Sequence, residues 1–462
     1  MTEHTHHSVP FSVTLICAAI LVAMVLSLAL EEKIHAKKSL ITGVFAAISL
    51  FVGSYFHLLP FGPLLNVFGE EMAVPVFIAA VDWGVITIIF GSSLFIDVTA
   101  KSGLFTWIAI KLTKASRGDP LILLSYYGVM TVVFSAVLNN VTAMIIVGAL
   151  SAVSLAKLKR SHKLLGFLLV EGLLTNIGGL LTLISSVPNI IVGTAAGISF
   201  VEFFIKAAPY VVVATALTIV MGAKTFGIQR LASDQEREEA TALVAGFDEN
   251  DGIVSQAFFV GSCIMTCLFI VCIATASVLP VVAPLGMGFV AMAFAAVMLV
   301  RFKHEVDQFY KALDWDLLLF FVFLFVVINV MEHAQVLALI GQGLAQLIAL
   351  GPQLGVASTL VSSALFSAVT DNIPLAAMLA RILEGLGTHG ESGLWWAVIF
   401  GANLGGNITP IGSASTVVAV TIMHKHKLDM SFIAFVKAAV PFAAIQIVLA
   451  TLHVVYILPH LG

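Results

Sequence analysis

Apolar positions in this chain run in long blocks rather than in one-sided stripes. Blocks fall at 11–30, 40–59, 83–112, 122–155, 164–195 and 203–221, then at 254–279, 284–300, 317–347, 354–382, 394–422 and 432–458. A helix needs roughly 20 residues to cross a bilayer core. Backbone facing lipid has to satisfy its own hydrogen bonds, so blocks of this length predict helices. The expected class is an all-α polytopic membrane protein. One polar stretch, 224–252, contains Ser233-Asp234-Gln235-Glu236-Arg237-Glu238-Glu239 and reads as a solvated linker. It divides the chain into 9–222, a cytoplasmic linker 223–253, and 254–460.

Basic residues orient these blocks. Lys33, Lys37 and Lys38 follow the first block, Lys111, Lys114 and Arg117 the third, and Lys157, Lys159, Arg160 and Lys163 the fourth. Arg301 and Lys303 follow the eighth, and Lys425 and Lys427 precede the last. Placing these loops in the cytoplasm leaves 60–82 and 385–393 with Glu70, Glu71 and Glu391 and almost no Lys or Arg. The positive-inside rule is then met with the N-terminus outside, in a cell inner membrane. Parity requires 122–155 and 354–382 each to leave on the side they entered, as re-entrant hairpins or pairs of short helices.

The two parts repeat. Asp82-Trp83 recurs as Asp314-Trp315 at an offset of 232 (314 − 82). At the same offset, Phe134-Ser135-Ala136-Val137-Leu138-Asn139-Asn140 recurs as Phe366-Ser367-Ala368-Val369-Thr370-Asp371-Asn372. Asn176-Ile177-Gly178-Gly179 returns as Asn403-Leu404-Gly405-Gly406 at 227 (403 − 176). Each copy carries about five crossings plus one hairpin. An odd unit in tandem enters the membrane the other way round, which predicts inverted-topology repeats with a midplane site where the copies meet.

Polar groups inside apolar blocks mark that site. Asn139, Asn140 and Thr142 lie in the middle of the first hairpin block, and Asp371 and Asn372 in the second. Intramembrane amides and carboxylates are costly, and here they recur in both copies. Asn176, Thr182, Ser185, Ser186 and Asn189 match Asn403, Asn407, Thr409, Ser413, Ser415 and Thr416, interleaved with Gly178-Gly179, Pro188, Gly405-Gly406, Pro410 and Gly412. Glycine and proline there predict unwound segments whose free backbone groups join the hydroxyls and amides. Such a shell suits a hard cation or, at a helix N-terminus, an anion. Helix–helix hydrogen bonding is the bland alternative. Asp371 and Glu171 are candidate proton carriers, and Asp97 and Lys101, spaced i,i+4, read as a structural pair.

Composition narrows the class. The chain of 462 residues is 60% hydrophobic and 10% charged, against about 25% charged in soluble domains. The block at 11–30 is too long for a signal peptide core and reads as a first membrane helix. Cys17, Cys263, Cys267 and Cys272 lie in apolar blocks without a His or acid to complete a metal set, and His4, His6 and His7 form a polar tail. There is no Gly-x-x-x-x-Gly-Lys phosphate loop and no His-Glu-x-x-His. The pattern offers no constellation for an intramembrane hydrolase, expects no enzyme, cofactor or nucleic-acid partner, and disfavours a channel with rings of filter groups. A small ion substrate remains, with Na+ a candidate coupling ion.

At Asp82-Trp83 and its repeat, both hairpin motifs, both Asn-x-Gly-Gly stretches and Trp395-Trp396, the chain resembles the ion transporter superfamily. Within it, the likeness is to arsenite permeases, sodium/proton antiporters, citrate-transporter-like domains and divalent anion/sodium symporters. The resemblance implies a scaffold domain and a transport domain, a homodimer, and secondary active transport coupled to Na+ or H+. Antiport, anion transport and Na+-coupled di- or tricarboxylate uptake are all within its range. Two departures stand out: the sodium/proton antiporter pattern has Asp-Asn in both hairpins, where this chain has Asn139-Asn140, and an Asp where it has Ser186. Only Asp371 of those acids is present.

Overall fold

The structure, a computed structural model, describes residues 9–60, 64–65, 69–138, 140–276, 279–280 and 282–461, with backbone alone at 32–33 and 64–65. Asn139, His4, His6 and His7 lie outside the described residues. The fold is helical. The first part contains α1 (Phe11–Ala29), α2 (Lys38–Tyr55), α3 (Trp83–Ala100), α4 (Leu104–Ala115), α5 (Pro120–Val137), α6 (Asn140–Lys157), α7 (Leu164–Gly178), α8 (Val187–Ala195) and α9 (Phe200–Thr225). After a linker helix α10 (Asp234–Ala245) come α11 (Gln256–Thr275), α12 (Gly286–Leu299), α13 (Trp315–His333), α14 (Val336–Ile348), α15 (Pro352–Ser367), α16 (Asn372–Gly385), α17 (Gly393–Gly405), α18 (Ala414–Lys425) and α19 (Phe432–Leu452). Among the described residues, 9 helices are long and apolar enough to cross a membrane. Large side chains such as Phe51, Val212 and Leu354 stay exposed on their outer faces, as a lipid-contacting surface requires.

Element starts repeat at the sequence offsets. Helices α3 through α6 begin 232 residues before α13 through α16 (315 − 83, 336 − 104, 352 − 120, 372 − 140), and α7 and α8 return 229 and 227 later as α17 and α18 (393 − 164, 414 − 187). Pairing is reciprocal. Helix α3 packs on α12 while α13 packs on α2, α5 on α7 as α15 on α17, and α8 on α16 as α18 on α6. Lipid offers no hydrophobic force between helices, so close approach at small residues holds them. A Cβ on Gly91 of α3 would stand 2.5 Å from the backbone of Ala291 and Met292 in α12. One on Gly178 of α7 would stand 2.6 Å from the Val132 carbonyl of α5.

Two expected spans are broken. The blocks 83–112 and 317–347 divide at equivalent places, where Gly103 takes φ 84° and Gln335 φ 62°. The left-handed residue turns the chain and ends α3 and α13 early. The block 122–155 is a helical hairpin: Tyr127 of α5 reaches Ser154 of α6 at 2.8 Å across its arms. Its counterpart arms, α15 and α16, both lie on α14 and α17. Proline opens α5 and α15, where a missing N–H costs nothing. The linker differs from a solvated loop. Ala240, Val244 and Phe247 are buried, and α10 rests on α4. The Asp119 carboxylate accepts from Leu231 N at 3.1 Å, and Glu249 pairs with Lys111 at 2.7 Å and with Lys114.

Candidate functional site

Four helix beginnings meet at one cavity. Its volume is about 570 Å³, and its wall includes Asn140 and Thr142 at the start of α6, and Ser185, Ser186 and Pro188 at the start of α8. Asn372 opens α16 and Ser413 with Ser415 opens α18 on the same wall. A helix start offers first-turn backbone N–H groups and the positive end of its dipole; at α16 and α18 one of those N–H groups is already taken, Ile373 N by Asp371 and Ser415 N by Ser413. The two hairpin breaks and the two unwound segments, far apart in sequence, thus share one space.

An amide network fixes this wall. Asn176 Oδ1 accepts from Asn140 Nδ2 at 3.2 Å, Ser413 Oγ at 2.9 Å and Ser415 Oγ at 3.1 Å. In the mirrored arrangement Asn403 Oδ1 accepts from Ser186 Oγ at 2.7 Å, and Asn403 Nδ2 donates to Asn189 Oδ1 at 2.8 Å. Asn176 Nδ2 donates to Asn407 Oδ1 at 2.8 Å, and Asn407 Nδ2 continues to Gln446 Oε1 at 2.8 Å. Each asparagine therefore reads the unwound segment of the other part. Buried amides without partners would cost about 1–3 kcal/mol each.

Hydroxyls close the helix ends left open by the breaks. Thr182 Oγ1 donates to the Ala136 carbonyl and Thr409 Oγ1 to the Ala368 carbonyl, both at 2.6 Å. Ser135 and Ser367 do the same for Thr175 and Ala402, again at 2.6 Å. Ser185 donates to the Gly179 and Thr182 carbonyls at 2.6 and 2.8 Å, and Thr416 to those of Pro410 and Ser413 at 3.1 and 2.7 Å. Thr182, Asn189, Asn407, Thr409 and Thr416 support the wall, whereas Asn140, Thr142, Ser185, Ser186, Asn372, Ser413 and Ser415 line it. Asn176 and Asn403 sit one layer behind.

The charged groups are placed differently from the spacing-based expectation. Asp97 does not close an ion pair with Lys101. Lys101 caps the end of α3 and is exposed, while Asp97 lines the cavity with Ser93 and with Asp314, which caps α13. No Lys, Arg or His contributes to the wall among the described residues. Asp371 is not in that wall. Its carboxylate caps α16 at Ile373 N (3.1 Å) and meets Lys38 Nζ at 2.5 Å. Glu171 is fully buried, with one oxygen accepting from Ser151 at 2.5 Å and the other unpartnered among the described residues. Sequence reasoning missed Gln446, Thr218 (2.9 Å from Gln446), Asp97 and Lys38 as neighbours of the site. Ser135 and Ser367 were visible within the repeated hairpin motif.

The family model described as citrate transporter matches residues 58–401. The chain belongs to the citrate transporter family. A 46 kDa membrane protein of Mycobacterium leprae is 28% identical over 81% of this family member and 86% of its own length. An uncharacterised transporter of Synechocystis is 24% identical over the same shares, and the human P protein is 23% identical over 96% of the chain and 60% of itself. Among solved structures, the YdaH transporter of Alcanivorax borkumensis superposes with a TM-score of 0.59 at 12% identity, covering 91% of this chain and 98% of that one. This citrate transporter family member is a multi-pass membrane transporter of a small ion.

Proposed function

We propose that this protein is a secondary active transporter of a carboxylate-bearing anion, working by alternating access and driven by Na+ or H+. The observation that carries the proposal is the convergence of four helix N-termini from both parts of the chain on one cavity. Dipole ends and free N–H groups suit a carboxylate. Citrate, named by the family description, is the first substrate to test. Asn140, Thr142, Asn372, Ser186, Ser413 and Ser415 would bind it, and Asp371 would take the coupling cation.

Alternating access is supported by a second opening. A crevice of about 200 Å³ is lined by Asp82, Thr194, Phe325, Arg381 and Glu384. Asp82 and Phe325 are the repeat counterparts of Asp314 and Ser93, which line the main cavity (314 − 82, 325 − 93). Two equivalent routes of unequal size are what inverted repeats caught in one of two states would give. The cavity wall extends to Ala100 and Ala312, beside the basic loops, so we assign it to the cytoplasmic face of an inner membrane. A dimer assembled through the scaffold helices α2, α3, α12 and α13 would keep those helices still.

The test is uptake of labelled citrate into proteoliposomes with imposed Na+ or pH gradients. Saturable uptake that follows one gradient supports the proposal; gradient-independent, voltage-driven currents refute it. Asp97 and Asp314 in a wall without basic groups favour a second reading, cation/proton exchange. A trapped pH dye that responds to Na+ without citrate would select it.

A further inference from the structure

Lys38 and Asp371 join elements that alternating access must separate. Asp371 sits at the break of the second hairpin, directly before Asn372 of the cavity wall. Lys38 opens α2, and its neighbour Ser39 is tied to the start of α13: Asp316 Oδ1 accepts from Ser39 N at 3.1 Å and from Ser39 Oγ at 2.5 Å. The lysine therefore projects from the packed α2–α13 pair onto the hairpin. Its ammonium lies 2.5 Å from Asp371, with side chains only 25% and 13% exposed.

A partly buried carboxylate held this way is already neutralised. Breaking such a pair without replacement leaves an uncompensated charge. A moving hairpin therefore has to exchange one cation for another. The corresponding residue of the first hairpin, Asn139 (371 − 232), is an amide and has no charge to trade. Two further acids stand by the Lys38 ammonium and its neighbour Ser39, with Lys37 next in the chain: Glu31 Oε1 at 3.8 Å, and Asp316, which holds Ser39. The two acids give the ammonium somewhere to remain once Asp371 leaves.

Resting on the proposal that Asp371 takes the coupling cation, we infer that Lys38 is a tethered counter-ion that occupies the Asp371 site in this conformation. The coupling cation displaces it, so that its binding frees the second hairpin to move. Lys38 is thus a positioning residue, acting on Asn372 through Asp371.

Three variants in proteoliposomes test this: Lys38→Met, Lys38→Arg and Asp371→Asn, with citrate uptake followed against Na+ at fixed pH and against pH without Na+. Coupling free energies between linked sites correspond to roughly 5- to 150-fold changes in affinity. Lys38→Met should lower the half-saturating Na+ concentration about fivefold or more, or move the pH midpoint of activation upward if the cation is a proton, while Lys38→Arg stays near wild type. Asp371→Asn should abolish both dependences. Unchanged half-saturation and pH midpoint in Lys38→Met, beside loss of coupling in Asp371→Asn, overturn the tethered counter-ion while leaving the cation site standing. Coupling that survives Asp371→Asn overturns the cation site itself. If Lys38→Met is recovered poorly, the double variant Lys38→Met/Asp371→Asn, which buries no lone charge, should restore folding but not coupling; recovered coupling would overturn the inference.

Discussion

Gly179→Ala separates the cavity wall from the fold. A Cβ on Gly179 would stand 2.7 Å from Asn140 Oδ1 and 2.8 Å from Nδ2. Ordinary contact begins near 3.4 Å, so the amide has to yield by roughly half an ångström or more. Its backbone need not follow, because Asn140 is a flexible side chain. That movement strains two bonds, Ser135 Oγ to Asn140 Oδ1 at 2.8 Å and Asn140 Nδ2 to Asn176 Oδ1 at 3.2 Å. Loss of one or two such bonds costs about 0.5–1.5 kcal/mol each, which a domain tolerates. A bond from the same amide to a charged substrate is worth about 1.5–3 kcal/mol, or roughly 10- to 100-fold in affinity. The expected result is a KM for citrate raised about tenfold or more, with detergent melting lowered by only a few degrees. Uptake titrations and thermal unfolding of the purified protein check both. Wild-type KM alongside a confirmed substitution would refute the placement of Asn140 in the binding wall.

Gly178→Ala, one residue earlier, should behave oppositely. Its Cβ meets the Val132 backbone, so melting falls by about 1–3 kcal/mol of overpacking and expression drops with it. Thr409→Val removes the donor to the Ala368 carbonyl; about 1–3 kcal/mol of stability should be lost by the same melting assay, with KM less affected than in Gly179→Ala. Glu171→Gln keeps the shape of a buried group that no cation pairs with among the described residues; it should fold and bind citrate, and proton-driven but not Na+-driven uptake should fall if Glu171 carries a proton. Lys111 and Lys114 hold the Glu249 carboxyl down at about 2, from an ordinary 4.5. A lowered value stabilises the docked linker above pH about 4.5, and that contribution fades as pH falls toward 2. Pepsin cleavage within 223–253 should accelerate over that window, and Lys111→Ala/Lys114→Ala should remove the pH step.

Much of this was legible because both copies kept their hydrogen-bonding hydroxyls. Ser135 with Ser367, and Thr182 with Thr409, make the same bonds in both parts, so the repeat in the letters is a repeat of satisfied carbonyls. Breaks after α3 and α13 were hidden, since one glycine or one left-handed glutamine in an apolar run leaves no change of period. Asp97 and Lys101 have the spacing of a pair, but Lys101 is the exposed residue that ends α3 while Asp97 lines the cavity, so spacing alone did not report where each side chain goes. Lys38 looked like any loop cation: its partner lies 333 positions away, and no local pattern reports such a distance.

The crossed pairing of α3 with α12, and of α13 with α2, has a consequence for biosynthesis. Helix α3 leaves the ribosome with its small-residue face at Gly91 ready, yet α12 begins 186 residues later (286 − 100). At ordinary elongation rates that is a wait of about 10–40 s. Through that interval the groove has to be filled by lipid or by the insertion machinery. The chain therefore matures as an interlocked pair, and halves made as separate polypeptides should each stay incomplete until they meet in one membrane.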